Sequence, residues 1–268
     1  MLAGLAVSNI AWPHQDFPSA IHLARALGLN GIEIAPYNVF GSWDVADRDV
    51  LALRSQIEDA GLVCPALQGI VFNVPGASLF ESQESRTIMA AHLTKVARIA
   101  GLLGASACVF GAPKQRDPGG LAPAEAWKIA VEFLRRIGPI FEDHDTALAF
   151  EANARAYTCR FITTTAEAID LVRLVDSPGV ALQIDMGTIF LEEEDPSILR
   201  HAAPLAAHAH LSEPGLRPIG SERLDHWPTA QALRESGYSG FLSIEMRAVD
   251  HWENALARAV EVLQGEYA

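Results

Sequence analysis

Cysteine, positive charge and long apolar runs are all scarce in this 268-residue sequence. The three cysteines, Cys64, Cys108 and Cys159, are scattered, odd in number and without CxxC spacing, so neither a disulfide framework nor a thiolate zinc site is indicated. Lysine and arginine number 20 against 33 acidic residues, a net charge of −13. Nucleic-acid affinity is mostly cationic neutralisation of phosphate, so no nucleic-acid partner is expected. No apolar stretch approaches the roughly 18 residues of a membrane span, and Met1-Leu2-Ala3-Gly4-Leu5-Ala6-Val7 carries no basic leader. The expectation is a cytoplasmic chain with no membrane partner. Low-complexity tracts and Ser/Gly linkers are also missing, so 1–268 reads as a single domain. Half of the residues are hydrophobic and a fifth are charged, enough to bury a large core without covalent staples.

Short β-rich runs alternate with helical patterns from end to end. Strands are predicted at 2–7, 31–34, 63–67, 107–110, 147–151, 181–185, 206–211 and 241–245. Most are continuous apolar runs, as parallel strands covered on both faces require. Helices are predicted near 17–27, 47–60, 82–103, 121–142, 164–175, 196–203, 226–236 and 249–264. Asn30-Gly31, Ala60-Gly61 and Ser236-Gly237 read as C-terminal glycine stops, and Thr163 and Asp225 as N-caps. Eight strand–helix pairs at roughly 33 residues each fit an α/β fold of the (β/α)8 TIM barrel type. A doubly wound open sheet would want a Gly-rich phosphate turn after its first strand, and Ser8-Asn9-Ile10-Ala11-Trp12-Pro13 offers none. In a barrel, chemistry sits where strands run into the βα loops.

The last four predicted strands end on Glu151, Asp185, His210 and Glu245, spaced 34, 25 and 35 residues apart. Each interval is about one βα unit, so four neighbouring strands carry one polar side chain each at similar height. Singly, each has an ordinary structural reading. A strand-end acid pairs with arginine or caps a helix, and a histidine packs in a core. Three carboxylates converging at the ends of apolar strands are costly unless something compensates them. One divalent cation removes the repulsion and takes a neutral imidazole as its fourth ligand. The donor set is hard-leaning and suits Mn²⁺, Mg²⁺ or Co²⁺, with Zn²⁺ also admitted.

These four residues resemble, one by one, the metal ligands of the xylose isomerase-like barrel superfamily. That group holds ketose 3-epimerases, hydroxypyruvate isomerase, inosose dehydratase, dehydroshikimate dehydratase and endonuclease IV. The likeness spans nearly the whole chain. Its most specific pieces are Phe150-Glu151-Ala152-Asn153, His208-Ala209-His210-Leu211-Ser212-Glu213 and Ile244-Glu245. Gly31-Ile32-Glu33-Ile34 looks like the family's second strand, with Glu33 facing the substrate. Val109-Phe110-Gly111-Ala112-Pro113-Lys114-Gln115-Arg116 resembles the fourth-strand loop of sugar isomerase and epimerase members.

The resemblance implies a divalent-metal-dependent isomerase or epimerase of a small sugar or polyhydroxy ketone. The proton beside a carbonyl is removed to give an enediolate; its return on the other face gives epimerisation and its return to the neighbouring carbon gives isomerisation. By resemblance Glu151 and Glu245, both also metal ligands, are the base and the acid. The alternatives are a metal-dependent dehydratase of the inosose or dehydroshikimate type and a non-catalytic metabolite-binding barrel. Candidate substrate contacts are Glu33, Gln68, Lys114, Arg116, His208 and Arg217, with His14, Tyr37, Asn153 and Arg155 nearby in the predicted loops. Lys114 and Arg116 suit a carboxylate or phosphate, and Arg217 matches a loop arginine that related epimerases use to hold substrate. His208, two residues before His210, shares its strand face one pleat deeper. The expected partner is a sugar-like small molecule, with homo-oligomer formation left open. Leu191-Glu192-Glu193-Glu194-Asp195 reads as a solvated first turn of the sixth helix. One departure stands out: Thr188 occupies the position where many epimerases, and endonuclease IV, carry a histidine. That, with the acidic balance, disfavours a trinuclear DNA-repair site.

Overall fold

The computed structural model describes residues 1–267. The continuous apolar runs form eight parallel strands: β1 (Gly4–Ser8), β2 (Gly31–Glu33), β3 (Ala66–Leu67), β4 (Ala107–Phe110), β5 (Ala147–Glu151), β6 (Val180–Asp185), β7 (Ala206–Ser212) and β8 (Phe241–Glu245). Their order in the sheet is β2-β1-β8-β7-β6-β5-β4-β3. Parallel bridges Gly31–Val63 and Ile34–Leu67 join the two ends, so the sheet comes round almost completely as a (β/α)8 TIM barrel. β3 is shorter than the predicted 63–67 because Pro65 has no N–H to give a ladder. Val63 keeps only its isolated bridge.

The helices are α1 (Phe17–Ala26), α2 (Pro36–Phe40), α3 (Asp47–Asp59), α4 (Gln83–Leu103), α5 (Pro123–Glu142), α6 (Thr165–Val175), α7 (Met186–Leu191), α8 (Leu199–Ala202), α9 (Trp227–Glu235) and α10 (Trp252–Val262). The short α2 and α7 lie inside βα loops and have too few turns to show a helical period. The predicted helix at 196–203 breaks into two 3₁₀ turns around α8, with Pro196 and Pro204 in those turns. Among the described residues no helix is long and apolar enough to cross a membrane.

Helix ends show where side-chain chemistry and sequence position part company. Gly61 and Gly237 hold the left-handed conformation at φ +75° and +76°. Gly31, however, lies in β2, and Gly28 at φ +87° provides the stop after α1. The N-cap of α6 is Thr164, one residue beyond the predicted Thr163, in a capping box with Glu167. Asp225 accepts the Trp227 N–H at 3.1 Å, beside the first turn of α9. The acidic run at 192–195 is a solvated first turn only in part: Glu193 and Asp195 are exposed, Asp195 capping the 3₁₀ turn at Pro196–Ile198, but the other two acids are engaged. Glu192 is half-buried and accepts the Arg155 backbone N–H at 2.6 Å, while Glu194 accepts the Thr165 N–H and hydroxyl at the start of α6. Partly desolvated donors at a helix start reward a carboxylate more than water does.

Candidate active site

The carboxyl ends of β5, β6, β7 and β8 bring Glu151, Asp185, His210 and Glu245 together. One donor atom from each lies within 4.8 Å of the others. The strands impose this meeting, since Asp185 pairs in register with His210 and Ser212 with Glu245. Local contacts then fix each side chain. Asp185 caps α7, accepting from the N–H groups of Gly187 (3.2 Å) and Thr188 (3.1 Å) and from the Ser212 hydroxyl. Glu151 accepts at Oε2 from Asn153 Nδ2 at 2.7 Å. A β-carbon on Gly111 would stand 2.4 Å from that same oxygen, so only glycine leaves room for it.

His210 is fully buried and reads in two directions. Its Nε2 lies 2.9 and 3.1 Å from the two Glu33 oxygens. Its Nδ1 has no hydrogen-bond partner among the described residues, yet lies 3.2 Å from Glu245 Oε2 and 3.4 Å from Glu151 Oε1. Burial alone would make this imidazole less basic, but the charges of Glu33 and Glu245 raise its pKa well above the usual histidine value. Burial and the charge of Glu151 also push Asp185 up. Burial pushes Glu245 up to about 7, against the opposing pull of His210. Without a cation, then, the cluster retains protons among its donors. An orphaned ring nitrogen facing three crowded carboxylates fits one hard divalent cation, which would displace those protons.

Beside the cluster lies a cavity of about 750 Å³. Its walls come from Gln68 and the 69–75 loop after β3, from 111–115 after β4, and from Asn153, Tyr157 and Leu216. Glu151, Asp185 and Glu245 all face into it.

Residues 21–265 match the xylose isomerase-like TIM barrel family. The chain belongs to this family. It is 24% identical to D-psicose 3-epimerase of Agrobacterium fabrum over 246 residues, covering 87% of this chain and 81% of that one. A crystal structure of D-psicose 3-epimerase in the presence of D-fructose superposes with a TM-score of 0.81 at 18% identity, over 98% of this chain and 99% of that one. A 3-keto-D-glucoside 4-epimerase from E. coli gives 0.77 at 18% identity, over 95% and 98%. Likeness at these structural identities speaks for the fold.

Within this xylose isomerase-like barrel the predicted substrate contacts separate into two groups. Gln68 and Lys114 line the cavity, Gln68 donating to the Ser8 hydroxyl and Lys114 standing exposed at the mouth. Glu33 and His208 do not reach it. Both are fully buried beneath the cluster, where Glu33 also accepts from Ser243 at 2.7 Å and His208 Nε2 lies 3.5 Å away. Burial would raise the Glu33 pKa, but the charges of His210 and His208 hold it far below the ordinary carboxylate value. Arg116 is fully buried, lies over the Phe150 ring and donates from Nη2 to Asn153 Oδ1 at 2.6 Å. It supports the wall without meeting the cavity. Arg217 turns outward to pair with Glu222, and Arg155 pairs with Glu192. His14 is exposed and lines no part of the cavity, and Tyr37 stands behind it. The contributions of Tyr157, Leu216 and the 69–75 loop carried no sequence signal, because they depend on how loops fold over the strand ends. Thr188 also turns into the wall, its hydroxyl 2.9 Å from Asp185 Oδ2 and 3.1 Å from the Ala152 carbonyl.

Proposed function

We propose that this chain is a divalent-metal-dependent epimerase of a ketose or closely related keto-sugar. The observation that carries the reading is the meeting of three carboxylates and an unpartnered imidazole nitrogen beside a sugar-accommodating cavity. The relatives' names, D-psicose 3-epimerase among them, favour epimerisation over dehydration or ligand sensing. Glu151, Asp185, His210 and Glu245 are the residues to hold the ion. When bound, a divalent cation there would polarise a carbonyl and an adjacent hydroxyl and make the intervening C–H more acidic.

Glu151 and Glu245 come from strands on either side of β6 and β7 and are the proton-handling pair. One removes the C–H proton and the other delivers a proton to the opposite face, which inverts the carbon. Asn153 ties down Glu151 Oε2 and leaves Oε1 toward the centre, so the carboxylate keeps one orientation through the exchange. Tyr157, whose hydroxyl accepts the Gly215 N–H at 2.8 Å, and Leu216 line the cavity beside the cluster.

The direct assay follows solvent deuterium into D-fructose and D-psicose with and without EDTA. Metal-dependent incorporation that falls by orders of magnitude in Glu151→Gln and Glu245→Gln is expected. No incorporation into either ketose, or incorporation indifferent to EDTA, counts against the proposal.

A further inference from the structure

The cavity is larger than a free ketose needs. At about 750 Å³ it falls in the range of roughly 300–1,000 Å³ that accommodates drug-sized ligands, and a lone six-carbon sugar leaves much of it unfilled. The carboxylate cluster occupies one side. Ile70, Phe72, Val74 and Pro75, on the loop after β3 and not on the strands that carry the cluster, supply apolar lining.

Phe72 is the unusual member. It is 60% exposed, one of the few large apolar side chains in the described residues left open to water. Its loop is nevertheless held firmly from behind. Trp43 Nε1 donates to the Phe72 carbonyl at 2.8 Å, His92 Nε2 donates to the Ile70 carbonyl, and Asn73 donates to the Tyr37 hydroxyl. The Tyr37 ring meets Phe72 edge-on with centroids 5.4 Å apart. An exposed ring on a pinned backbone is preorganised, so covering it with a flat partner gains buried apolar area at little ordering cost. Aromatic faces take both the C–H face of a sugar and another aromatic ring.

Charge narrows the partner further. Arg116, Arg155 and Arg217 all point elsewhere, leaving the exposed Lys114 as the one cationic side chain lining the cavity among the described residues. A phosphate or carboxylate there would find a single solvated lysine in its favour.

We propose that the natural substrate is an uncharged keto-sugar carrying a ring substituent at the end remote from its carbonyl, with that ring lying on Phe72. This rests on the epimerase reading of the same site. The required chemistry is a six-membered ring with an apolar face, from a second sugar or from an aryl group.

The test compares kcat/KM for solvent-deuterium exchange on four ketoses with the Mn²⁺-loaded protein. They are D-fructose, D-fructose 6-phosphate, isomaltulose (fructose with a glucosyl ring on O6) and 6-O-benzyl-D-fructose. At least one ring-bearing ketose should exceed fructose by tenfold or more, with the phosphate below fructose. Preference for isomaltulose identifies a sugar ring, and preference for the benzyl ether an aryl group. Phe72→Ala should bring the ring-bearing and free sugars close to parity, and Phe72→Trp should retain the preference. Fructose or its phosphate equalling the ring-bearing sugars, or a preference that survives Phe72→Ala, overturns the substituent proposal alone. Exchange into none of the four overturns the epimerase reading and this proposal with it.

Discussion

Glu33 Oε1 lies 2.9 Å from His210 Nε2, both side chains wholly buried beneath the cavity. This contact reserves the other ring nitrogen for the carboxylate cluster, because a histidine that gives one N–H to a carboxylate presents a lone pair at the other. Glu33→Gln keeps the shape and removes the charge. It should weaken Mn²⁺ binding by about 10–100-fold, the usual cost of losing such a supporting carboxylate. Calorimetric titration of Mn²⁺ into wild type and variant measures this. Equal affinities would mean that Glu33 only fills space.

The same cluster predicts how pH and metal interact. In the metal-free fold Glu245 holds its proton up to about 7 instead of the ordinary 4.5, and Asp185 is shifted in the same direction. Their folded form therefore binds protons that the unfolded chain has already released, so stability falls as pH rises from about 4.5 to 7. His210, also raised, contributes stability below its ordinary 6.5 that is lost as pH climbs through its folded value. Glu33 works oppositely, its contribution being present above 4.5 and lost only in acid. Scanning calorimetry should find the gap in Tm between Mn²⁺ and EDTA samples wider at pH 8 than at pH 6. A gap equal or wider at pH 6 contradicts the protonated cluster.

Much of this arrangement was legible in the sequence because strand ends repeat with the βα unit. Glu151, Asp185, His210 and Glu245 each close an apolar run, and the sheet brings runs of that kind to one height. Depth was less legible. Glu33 and His208 end up under the cluster because their strand faces point into the closed barrel, whose interior is packed by side chains. Arg116 resembles any loop cation until the 3₁₀ turn at Pro113–Arg116 folds it beneath Asn153. Glu192 and Glu194 likewise look solvated in sequence and are claimed by donors 29 to 37 residues away. Local pattern cannot reveal partners at that separation.

Gly111 supplies a steric test of the Glu151 orientation. Gly111→Ala places a β-carbon 2.4 Å from Glu151 Oε2 and 3.2 Å from Asn153 Oδ1. The carboxylate must move by an ångström or so, a displacement that can cost about a hundredfold in rate. Deuterium exchange should fall on that order while circular dichroism still reports a folded barrel. Retained exchange would show that Oε2 is free to sit elsewhere.

Thr188 gives a milder prediction. Thr188→Val preserves volume and removes the hydroxyl that approaches Asp185 Oδ2 at 2.9 Å. Loss of one such hydrogen bond costs about 1 kcal/mol, or roughly fivefold in metal affinity if Asp185 is a ligand. Titration with Mn²⁺ again decides. An undiminished affinity would mean that the backbone N–H groups of Gly187 and Thr188 suffice to hold Asp185.

The central claim is that one divalent cation is shared by four strand ends. Diffraction data from crystals grown with Mn²⁺ and collected near the manganese absorption edge test it most directly. A single anomalous peak within coordination distance of Glu151, Asp185, His210 Nδ1 and Glu245 is the predicted result. Absence of a peak there, or one bound by other residues, would contradict it.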